Sequence, residues 1–412
     1  MTNNCDVIVI GGGPAGMMAA GRAGERGRRV LLLEKNKILG RKLALTGGGR
    51  CNITNAEENM KLLLAHYGPA EKFLYSSFVQ FGIEDTVKFF EERGLPFIVQ
   101  AGKRAFPKTE KADDVVKTMI KYLAQGRVEV RTNMAVKGFV IGSDGIKGVE
   151  AGNEVLTAKT YILATGGMSR PDTGSTGDGL AWLQRLGHQI EAPSPTVVPL
   201  AVRDKWIKSL AGVSLDNVKI TFFADGVKKI TLKGRVLCTH FGLSGPLIIN
   251  AAGKVADLLR SGQVTVTIDL FPTVDLGALD EKVIAIFNQN KNKEFKNVIK
   301  QMVPAGTAGA ILTLLQGIDA DKPAHSITKM ERKKLIQLLK SLPGEITGLM
   351  GYERAVVSDG GVTLNEIDGK TMRSRRCQNL FVTGDLLHIN RPSGGYSLQL
   401  CWTTGWVAGS NA

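Results

Sequence analysis

Short runs of apolar residues alternate with glycine-rich turns near the start of the chain. Residues 7–10 form an apolar run that ends at the three glycines of residues 11–13, and a stretch rich in alanine and methionine follows to about residue 25. A second apolar run occupies residues 30–33. Short apolar runs bounded by glycines are typical of strands buried on both faces of a sheet. The pattern predicts a β–α–β unit of a parallel sheet.

The glycines of this unit have the spacing of a dinucleotide-binding turn. Gly11 would let the chain turn off the first strand, Gly13 would let the backbone approach a pyrophosphate, and Gly16 would let the helix lie close to the sheet. The free N–H groups of the helix N-terminus favour phosphate oxygens. Glu34, 18 residues after Gly16, is placed to accept hydrogen bonds from ribose hydroxyls and would repel the 2′-phosphate of NADP. The predicted contacts here are Gly11, Gly13, Pro14, Ala15, Gly16, Glu34 and Lys35.

Two later segments extend this unit and favour FAD over NAD. Residues 160–167, TYILATGG, and residues 379–385, NLFVTGD, each read as an apolar strand that breaks into a glycine turn. FAD is long enough to need contacts at several strand ends of one sheet, and Asp385 is placed for the ribityl hydroxyls. The three segments together look like the glutathione-reductase-type FAD-binding Rossmann fold of the α/β class. The contacts predicted from these later segments are Ala164, Thr165, Gly166, Gly384 and Asp385, and Val136 is a further predicted cofactor contact.

An insertion interrupts this predicted FAD domain. Pro193, Pro195 and Pro199 mark an exit from the first segment. Residues 200–270 alternate in the manner of antiparallel strands, with an Asp-Gly turn at 225–226 between two such runs, and helical periodicity follows residue 272. We therefore expect a first FAD-binding part at 1–190, a β-rich subdomain at 191–271, a helical subdomain at 272–354 and a C-terminal FAD-binding part at 355–412.

Two further glycine clusters predict flexible backbone around a flat cofactor. Residues 46–52 read TGGGRCN and residues 394–397 read GGYS, and both could offer backbone N–H groups to the flavin ring or the pyrophosphate. Arg41 and Lys42 would supply positive charge near the phosphates. The alternative for the first cluster is an ordinary surface loop. The additional predicted contacts are Arg41, Lys42, Thr46, Gly47, Gly48, Gly49, Asn52, Gly394, Gly395, Tyr396 and Ser397.

Three residues are candidates for catalysis. Cys51 follows Arg50, whose charge would lower the pKa of the thiol, although lone cysteines are more often small apolar core residues. His240 precedes a glycine turn and could act as a general acid, or could simply bond a turn carbonyl. Arg391, in the loop after Asp385, is a candidate for substrate contact.

Charge and cysteine content narrow the class of protein. The 412 residues carry a formal net charge of +15, with basic clusters at 103–111, 291–300, 329–334 and 373–376, which favours a polyanionic partner, although solvated helix faces would also explain them. The five cysteines show no CxxC and no metal-ligand spacing, so we expect neither a disulfide nor a metal site. The same pattern predicts that the protein is located in a reducing cytoplasm. Apolar runs are too short to span a membrane, and the polar residues 1–5 leave no room for a signal peptide.

Four motifs carry a family resemblance that covers nearly the whole chain. GRKLALTGGGRCNITN (40–55), THFGLSGP (239–246), GGVTLNEID (360–368) and RPSGGYSLQLCWTTG (391–405) resemble the BaiN/RdsA family of flavoproteins. The resemblance implies an FAD domain interrupted by a β-barrel-like and a helical insertion. It also implies reduction of a bile-acid enone, or of uridine to dihydrouridine in 23S ribosomal RNA. Asp385 departs from the glutamate that the family often has.

Three functions remain open from the sequence. The first is an FAD enzyme that reduces uridine in ribosomal RNA, and the second is the same C=C reduction on a small enone or unsaturated acid. The third is a non-enzymatic FAD-containing protein that binds the ribosome. In the first two, NAD(P)H is the expected transient electron donor. The chain lacks a second GxGxxG segment between a strand and a helix, so this donor would bind without its own Rossmann domain.

Overall fold

A computed structural model of the chain describes residues 5–142 and 145–412. Residues 1–4, on which the expectation about a signal peptide mainly rests, lie outside the described residues. The chain divides into two compact units, which we call unit 1 (residues 1–195 and 355–412) and unit 2 (residues 196–354). Among the described residues, no helix combines the length and apolar composition needed to cross a membrane.

The elements follow one another in chain order. The first segment of unit 1 contains the strands β1 (Cys5–Ile10), β2 (Val30–Leu33), β3 (Thr54–Asn55), β4 (Phe97–Gln100), β5 (Arg104–Pro107), β6 (Glu129–Arg131), β7 (Val136–Gly142), β8 (Gly145–Ala151), β9 (Glu154–Leu156), β10 (Ala158–Leu163) and β11 (Ile190–Thr196). Its helices are α1 (Pro14–Glu25), α2 (Met60–Ala65), α3 (Glu71–Gln80), α4 (Ile83–Glu91), α5 (Ala112–Gln125) and α6 (Asp178–Arg185).

Unit 2 and the last segment of unit 1 complete the chain. Unit 2 contains the strands β12 (Leu200–Val202), β13 (Ser214–Ala224), β14 (Val227–Thr239), β15 (Gly242–Ser244), β16 (Val264–Asp269) and β17 (Leu342–Leu349). Its helices are α7 (Lys205–Ser209), α8 (Pro246–Ser261), α9 (Leu276–Gln289), α10 (Phe295–Val298), α11 (Ala308–Leu314) and α12 (Lys329–Lys340). The chain ends in unit 1 with β18 (Val357–Val362), β19 (Leu380–Val382) and α13 (Tyr396–Asn411).

Unit 1 is built on a parallel sheet with the strand order β19–β10–β1–β2–β6. The four residues of β2 and the last four of β1 are buried, as the apolar runs predicted. Helix α13 packs along α1, and small residues make this close approach possible. A Cβ atom on Gly405 would lie 2.4 Å from the carbonyl oxygen of Ala15, and one on Gly409 would lie 2.3 Å from that of Ala19. The mixed α/β Rossmann architecture is confirmed.

Unit 2 is a closed antiparallel barrel with the strand order β12–β15–β14–β13–β16–β17. Helix α8 contacts all six of these strands and buries Ile248, Ala251, Ala252 and Val255. The β13–β14 hairpin turns at Asp225 and Gly226, as the DG sequence between two alternating runs predicted. Strand β17 lies inside the range that was assigned to a helical subdomain, and it pairs with β12 and β16 to close the barrel. The proposed division of the insertion at residue 271 stays a prediction.

Candidate dinucleotide site

Four strands of unit 1 end level with one another at one edge of the parallel sheet. Ile10 at the end of β1 pairs with Leu33 of β2 and with Leu163 of β10, and Leu163 pairs in turn with Val382 of β19. The glycine turn, Glu34, the ATGG turn and the TGD turn therefore begin at the same level. Parallel sheets bind nucleotides at this carboxyl edge. The three sequence segments that predicted a dinucleotide meet here, although up to about 370 residues separate them.

Two glycines at the turn after β1 are required by packing, whereas a third faces open space. Gly11 has a φ of +107°, and a Cβ atom there would lie 2.5 Å from the carbonyl oxygen of Ala164. A Cβ atom on Gly16 would lie 1.9 Å from the carbonyl oxygen of Gly11. Gly13 has an ordinary φ of −81°, and its Cβ position has no protein atom within 4 Å. Gly11 and Gly16 are thus required by packing, whereas Gly13 borders a space that a side chain would fill.

Glu34 is a buried carboxylate that the backbone holds in place. The N–H of Gly12 donates to its Oε2 atom at 2.6 Å, and the N–H and side-chain amide of Asn36 both donate to Oε1 at 2.7 Å. These bonds orient the carboxylate beside the glycine turn at the end of β2. The Oε2 atom accepts only the Gly12 bond among the described residues, so its second lone pair can accept from a hydroxyl group in the cleft.

Lys42 is a half-buried cation with no carboxylate beside it among the described residues. Its Nζ atom donates to the hydroxyl groups of Ser175, at 2.6 Å, and Ser169, at 3.4 Å, and it forms no ion pair with any carboxylate of the described residues. Burial lowers the pKa of Lys42, and the more distant Asp385 carboxylate opposes part of this shift. An ammonium group held only by neutral hydroxyls is suited to an anionic ligand such as a phosphate.

The other predicted basic contacts are already paired at the cleft. Lys35 donates to Thr176 and forms an ion pair with Asp178 at 2.8 Å. Arg41 donates to the side-chain oxygen of Asn36 at 3.3 Å. Thr165 has a buried hydroxyl oxygen with no hydrogen-bond partner among the described residues. Such an orphaned polar atom in the lining of a cleft is satisfied when a polar ligand binds.

These features surround one cleft that encloses about 920 Å³, including space open to solvent. The open cradle at Gly13, the Lys42 ammonium and the orphaned Thr165 hydroxyl together fit a dinucleotide with a pyrophosphate. The predicted contacts that line the cleft are Gly11, Gly13, Pro14, Ala15, Glu34, Lys35, Arg41, Lys42, Val136, Ala164, Thr165, Gly166, Gly384 and Asp385.

The glycine cluster after Lys42 lies outside the lining of this cleft. Residues 43–49 form an irregular 3₁₀ turn in which Gly47 and Gly48 have φ values of +58° and +67°. All three glycines of Gly47–Gly49 are exposed, and the Thr46 hydroxyl donates to the carbonyl oxygen of Leu43 at 2.7 Å. The Oδ1 atom of Asn52 is buried and has no partner among the described residues. The role of this turn around a flavin ring stays a prediction.

The expected activation of Cys51 by Arg50 is wrong. Cys51 is fully buried, and burial raises the pKa of its thiol to about 12. The Arg50 guanidinium lies over the ring of Phe106, 4.6 Å from its centroid, and pairs with Glu110 at 3.3 Å. With its cationic neighbour turned away, Cys51 is a protonated core residue at neutral pH, and burial dominates its pKa.

The C-terminal segment places its predicted residues around a buried ion pair. Asp385 pairs with the guanidinium of Arg391, which also donates to Ser397 at 3.0 Å and to the carbonyl oxygen of Ile389 at 2.6 Å. Gly395 precedes α13, and a Cβ atom there would lie 2.3 Å from the backbone of Thr54. Arg391 is therefore a positioning group for Asp385 and Ser397 in this structure, and its contact with substrate stays a prediction.

The predicted cofactor contacts Gly394 and Tyr396 interact with other protein residues, and the catalytic candidate His240 lies in unit 2. Gly394 accepts a hydrogen bond from Asn55 through its carbonyl oxygen, and Tyr396 packs against His66 with ring centroids 4.5 Å apart. His240 is exposed at the end of β14 in unit 2, with its ring 4.9 Å from that of Phe241. Its role as a general acid stays a prediction. No cluster of metal-ligating side chains is found in residues 5–142 and 145–412.

Several lining residues were missed by the sequence reasoning. They are Gly12, Asn36, Gly40, Met134, Thr173, Ser175, Thr176, Asp178, Trp182, Thr383 and Cys401, among others. The segment of residues 172–178, DTGSTGD, contributes four of the polar side chains. Its alternation of glycines with hydroxyl and carboxyl residues, four residues beyond the ATGG turn, was a usable signal. Ser175 and Asp178 are fixed there by Lys42 and Lys35, which lie more than 130 residues earlier.

Comparisons with known proteins agree with this architecture. The sequence family described as HI0933-like protein Rossmann domain matches residues 5–411. The chain is 29% identical to the 3-dehydro-bile acid delta(4,6)-reductase of Clostridium scindens, over 98% of each chain. It is 28% identical to the ribosomal RNA dihydrouridine synthase of Escherichia coli, over 98% of this chain and 96% of that protein.

A likeness among solved structures concerns the fold alone. The structure of 3-ketosteroid-delta4-(5alpha)-dehydrogenase from Rhodococcus jostii RHA1 aligns with a TM-score of 0.55 at 17% sequence identity. The alignment covers 100% of this chain and 97% of that one. Together with the family match, this likeness confirms the Rossmann class of the fold.

Proposed function

Because the chain belongs to the HI0933-like protein Rossmann domain family, we propose that it is an FAD-dependent oxidoreductase that reduces a C=C bond conjugated to a carbonyl group. The favoured substrate is uridine in 23S ribosomal RNA, with NAD(P)H as the transient electron donor. The single observation that carries the cofactor assignment is the cleft at the sheet edge. Its open Gly13 cradle and unpaired Lys42 ammonium suit a pyrophosphate.

The breadth of the cleft favours FAD over a shorter nucleotide. The lining extends from Glu34, directly after β2, and Val136, at the start of β7, to Gly384 and Asp385 after β19. We assign Glu34 to the ribose, Gly13 and Lys42 to the pyrophosphate, and Asp385 to the ribityl chain. When bound, FAD supplies a two-electron carrier that can deliver a hydride to an electron-poor C=C bond.

Reduction of a conjugated C=C bond also requires a proton at the α-carbon. In uridine, the β-carbon is C6 and the α-carbon is C5. We propose His240 as the donor in preference to Cys51, because His240 is exposed whereas burial raises the pKa of the Cys51 thiol to about 12. Proton donors are most effective when their pKa lies near the working pH.

The names of the relatives and the charge of the chain support RNA as the substrate. Relatives in Escherichia coli and Haemophilus influenzae are named ribosomal RNA dihydrouridine synthase. The net charge of +15 favours a polyanion. The second candidate is a small enone, which the name of the Clostridium scindens relative supports. The two substrates contain the same reacting group, an alkene conjugated to a carbonyl.

The return of oxidised flavin absorbance separates these substrates. Protein loaded with FAD is reduced anaerobically with NADH or NADPH and then mixed with unmodified 23S RNA transcript, or with a conjugated enone such as 4-androstene-3,17-dione. We expect RNA to reoxidise the flavin at least ten times faster than the enone at equal concentration. Faster reoxidation by the enone would reverse the order of the two candidates. No reoxidation by either substrate would refute the proposed reductase activity.

A further inference from the structure

The β13–β14 hairpin of unit 2 carries positive charge that the sequence clusters did not include. Residues 227–235 of β14 pair with β13 alone, because the pairing of β14 with β15 starts only at Leu237. Asp225 and Gly226 at the tip both have positive φ values, and the N–H of Gln263 donates to Asp225, which fastens the tip to the start of β16. The hairpin therefore presents a well-defined outer surface.

A β-bulge concentrates lysines on this surface. Phe222 pairs with Ile230 and Phe223 pairs with Lys228, so Lys229 is an extra residue in β14. In a bulge, two residues oppose one on the partner strand. Lys228 and Lys229 thus lie opposite Phe223, whose ring is half-buried on the outward side of the sheet. Lys233 follows on the same strand, exposed and opposite Lys219.

These three lysines form no ion pair with a described carboxylate, whereas each basic cluster noted in the sequence contains at least one paired residue. Lys228, Lys229 and Lys233 form no ion pair with any carboxylate of unit 2, all of which is described, whereas Lys219 pairs with Asp269 at 3.2 Å. Several basic residues of the clusters noted in the sequence are neutralised. Arg332 bonds Asp280, Lys296 bonds Asp321, Lys103 bonds Glu57 and Arg376 bonds Glu366.

We propose that the outer surface formed by Phe223, Lys228, Lys229 and Lys233, the hairpin surface, binds single-stranded RNA. The lysines would contact phosphates, and the ring of Phe223 would stack on a base. Lys229 and Lys233 are four residues apart, about 13 Å along an extended strand, so their ammonium groups can contact different phosphates of one RNA strand. The proposal rests on the proposed function in that RNA is the substrate, and it identifies where unit 2 contacts it.

The chemistry of both partners supports this assignment. Like charges crowded on one strand repel one another, and a bound phosphate backbone removes that repulsion. An aromatic ring flanked by cations is a typical platform for an unstacked base. The competing explanation is that lysines on a free strand edge prevent edge-to-edge aggregation. That explanation predicts a change in solubility and no change in RNA affinity.

RNA affinity as a function of salt tests the proposal. The full-length protein loaded with FAD is titrated into a fluorescent single-stranded RNA of 20 nucleotides containing uridine, at several salt concentrations. The test variant is Lys228→Gln, Lys229→Gln and Lys233→Gln together. The matched control is Lys329→Gln, Lys333→Gln and Lys334→Gln in α12, which removes the same charge. Size-exclusion chromatography and flavin content verify that both variants stay monodisperse and loaded.

We expect the hairpin variant to lose about two units of the log–log salt slope, at roughly 0.7 per phosphate on a single strand, and the control to lose less than one. Phe223→Leu should weaken binding on the order of 10-fold at an unchanged slope. Equal losses in both lysine variants, a loss confined to the α12 control, or aggregation of the hairpin variant with unchanged affinity would overturn the proposal. An unchanged RNA affinity in Phe223→Leu would show that the Phe223 ring does not stack on a base.

The experiment can refute the hairpin surface and the proposed function independently of each other. If the wild type reduces uridine in RNA and the hairpin variant binds and turns over RNA equally well, the hairpin surface is wrong and the proposed function stands. If RNA binds through the hairpin surface and its uridine is never reduced, the proposed function is wrong and the surface stands. If wild-type affinity for RNA does not depend on salt, the surface is refuted whatever the substrate.

Discussion

Replacement of Gly13 by glutamate is the most specific perturbation of the proposed cofactor site. Gly13 is the N-cap of α1, its φ of −81° suits any residue, and its Cβ position has no protein atom within 4 Å. The substitution therefore places a charged side chain in the cleft with little strain in the protein itself. The adjacent Gly16 does not offer such a test, since a Cβ atom there would lie 1.9 Å from the carbonyl oxygen of Gly11.

The expected loss of affinity follows from charge and space. Two unit charges about 5 Å apart repel by roughly 3 kcal/mol at an effective dielectric constant of about 20. A single phosphate charge at that distance would weaken FAD binding by about 100-fold, at roughly 1.4 kcal/mol per factor of ten. The second phosphate and the lost space add to this effect. Gly13→Glu should therefore be purified without colour, whereas the wild type should be yellow.

Thermal unfolding with and without FAD measures the effect independently of activity. A ligand at about 100 times its Kd stabilises the folded state by about 2.7 kcal/mol. This corresponds to a rise in Tm of roughly 5–10 °C for a large domain. Gly13→Glu should unfold close to the apo wild type and show no rise with FAD. The matched control is Gly253→Glu, an exposed position in α8 with free space around its Cβ atom, which should keep the full rise. Normal FAD binding by Gly13→Glu, or a wild type that cannot be loaded with FAD, would refute the assignment.

Four further outcomes are expected. Lys42→Met should weaken FAD binding by roughly 10- to 100-fold, the usual worth of a hydrogen bond to a charged group, as measured by fluorescence titration. Burial lowers the pKa of Lys42 in the folded protein. Between this lowered pKa and the usual lysine value of about 10.4, only the unfolded chain still binds the proton, so the free energy of unfolding of the apo protein should increase with pH in this range. Urea titrations should show this increase in the wild type and not in Lys42→Met. His240→Ala should slow reoxidation of reduced flavin by substrate by on the order of 10²–10⁴, while Cys51→Ala stays within a few-fold of the wild type in stopped-flow measurements; the opposite result would exchange their roles. Asp385→Asn should cost about 3–5 kcal/mol in the free energy of unfolding of the apo protein, because it leaves the Arg391 charge buried without a partner.

Local sequence patterns were sufficient for much of the fold and for the core of the site. The apolar runs, the glycine turn and Glu34 are close in sequence, and each has a single structural solution that the fold adopts. The DG turn fixed the long hairpin of unit 2 for the same reason. In these segments the physical requirement, a buried strand or a tight turn, is expressed by neighbouring residues.

The remaining features depend on contacts between distant residues. Lys42 donates a hydrogen bond to Ser175, more than 130 residues later in the sequence, and no local sequence pattern predicts that bond. Strand β17 closes the barrel more than 70 residues after β16, where helical periodicity dominates the intervening sequence. Cys51 looked activated because Arg50 is its neighbour in sequence, but their side chains point to different surroundings. Tertiary packing decides all three.

The central claim, FAD-dependent reduction of uridine in ribosomal RNA, is tested most directly by nucleoside mass spectrometry. The 23S RNA is isolated from cells that lack the gene and from the same cells carrying the wild type, Gly13→Glu or Gly253→Glu on a plasmid. We predict that the deletion removes a two-hydrogen mass increment from one uridine, and that the wild type and Gly253→Glu restore it while Gly13→Glu does not. An increment that persists in the deletion strain, or that Gly13→Glu restores in full, would contradict the account.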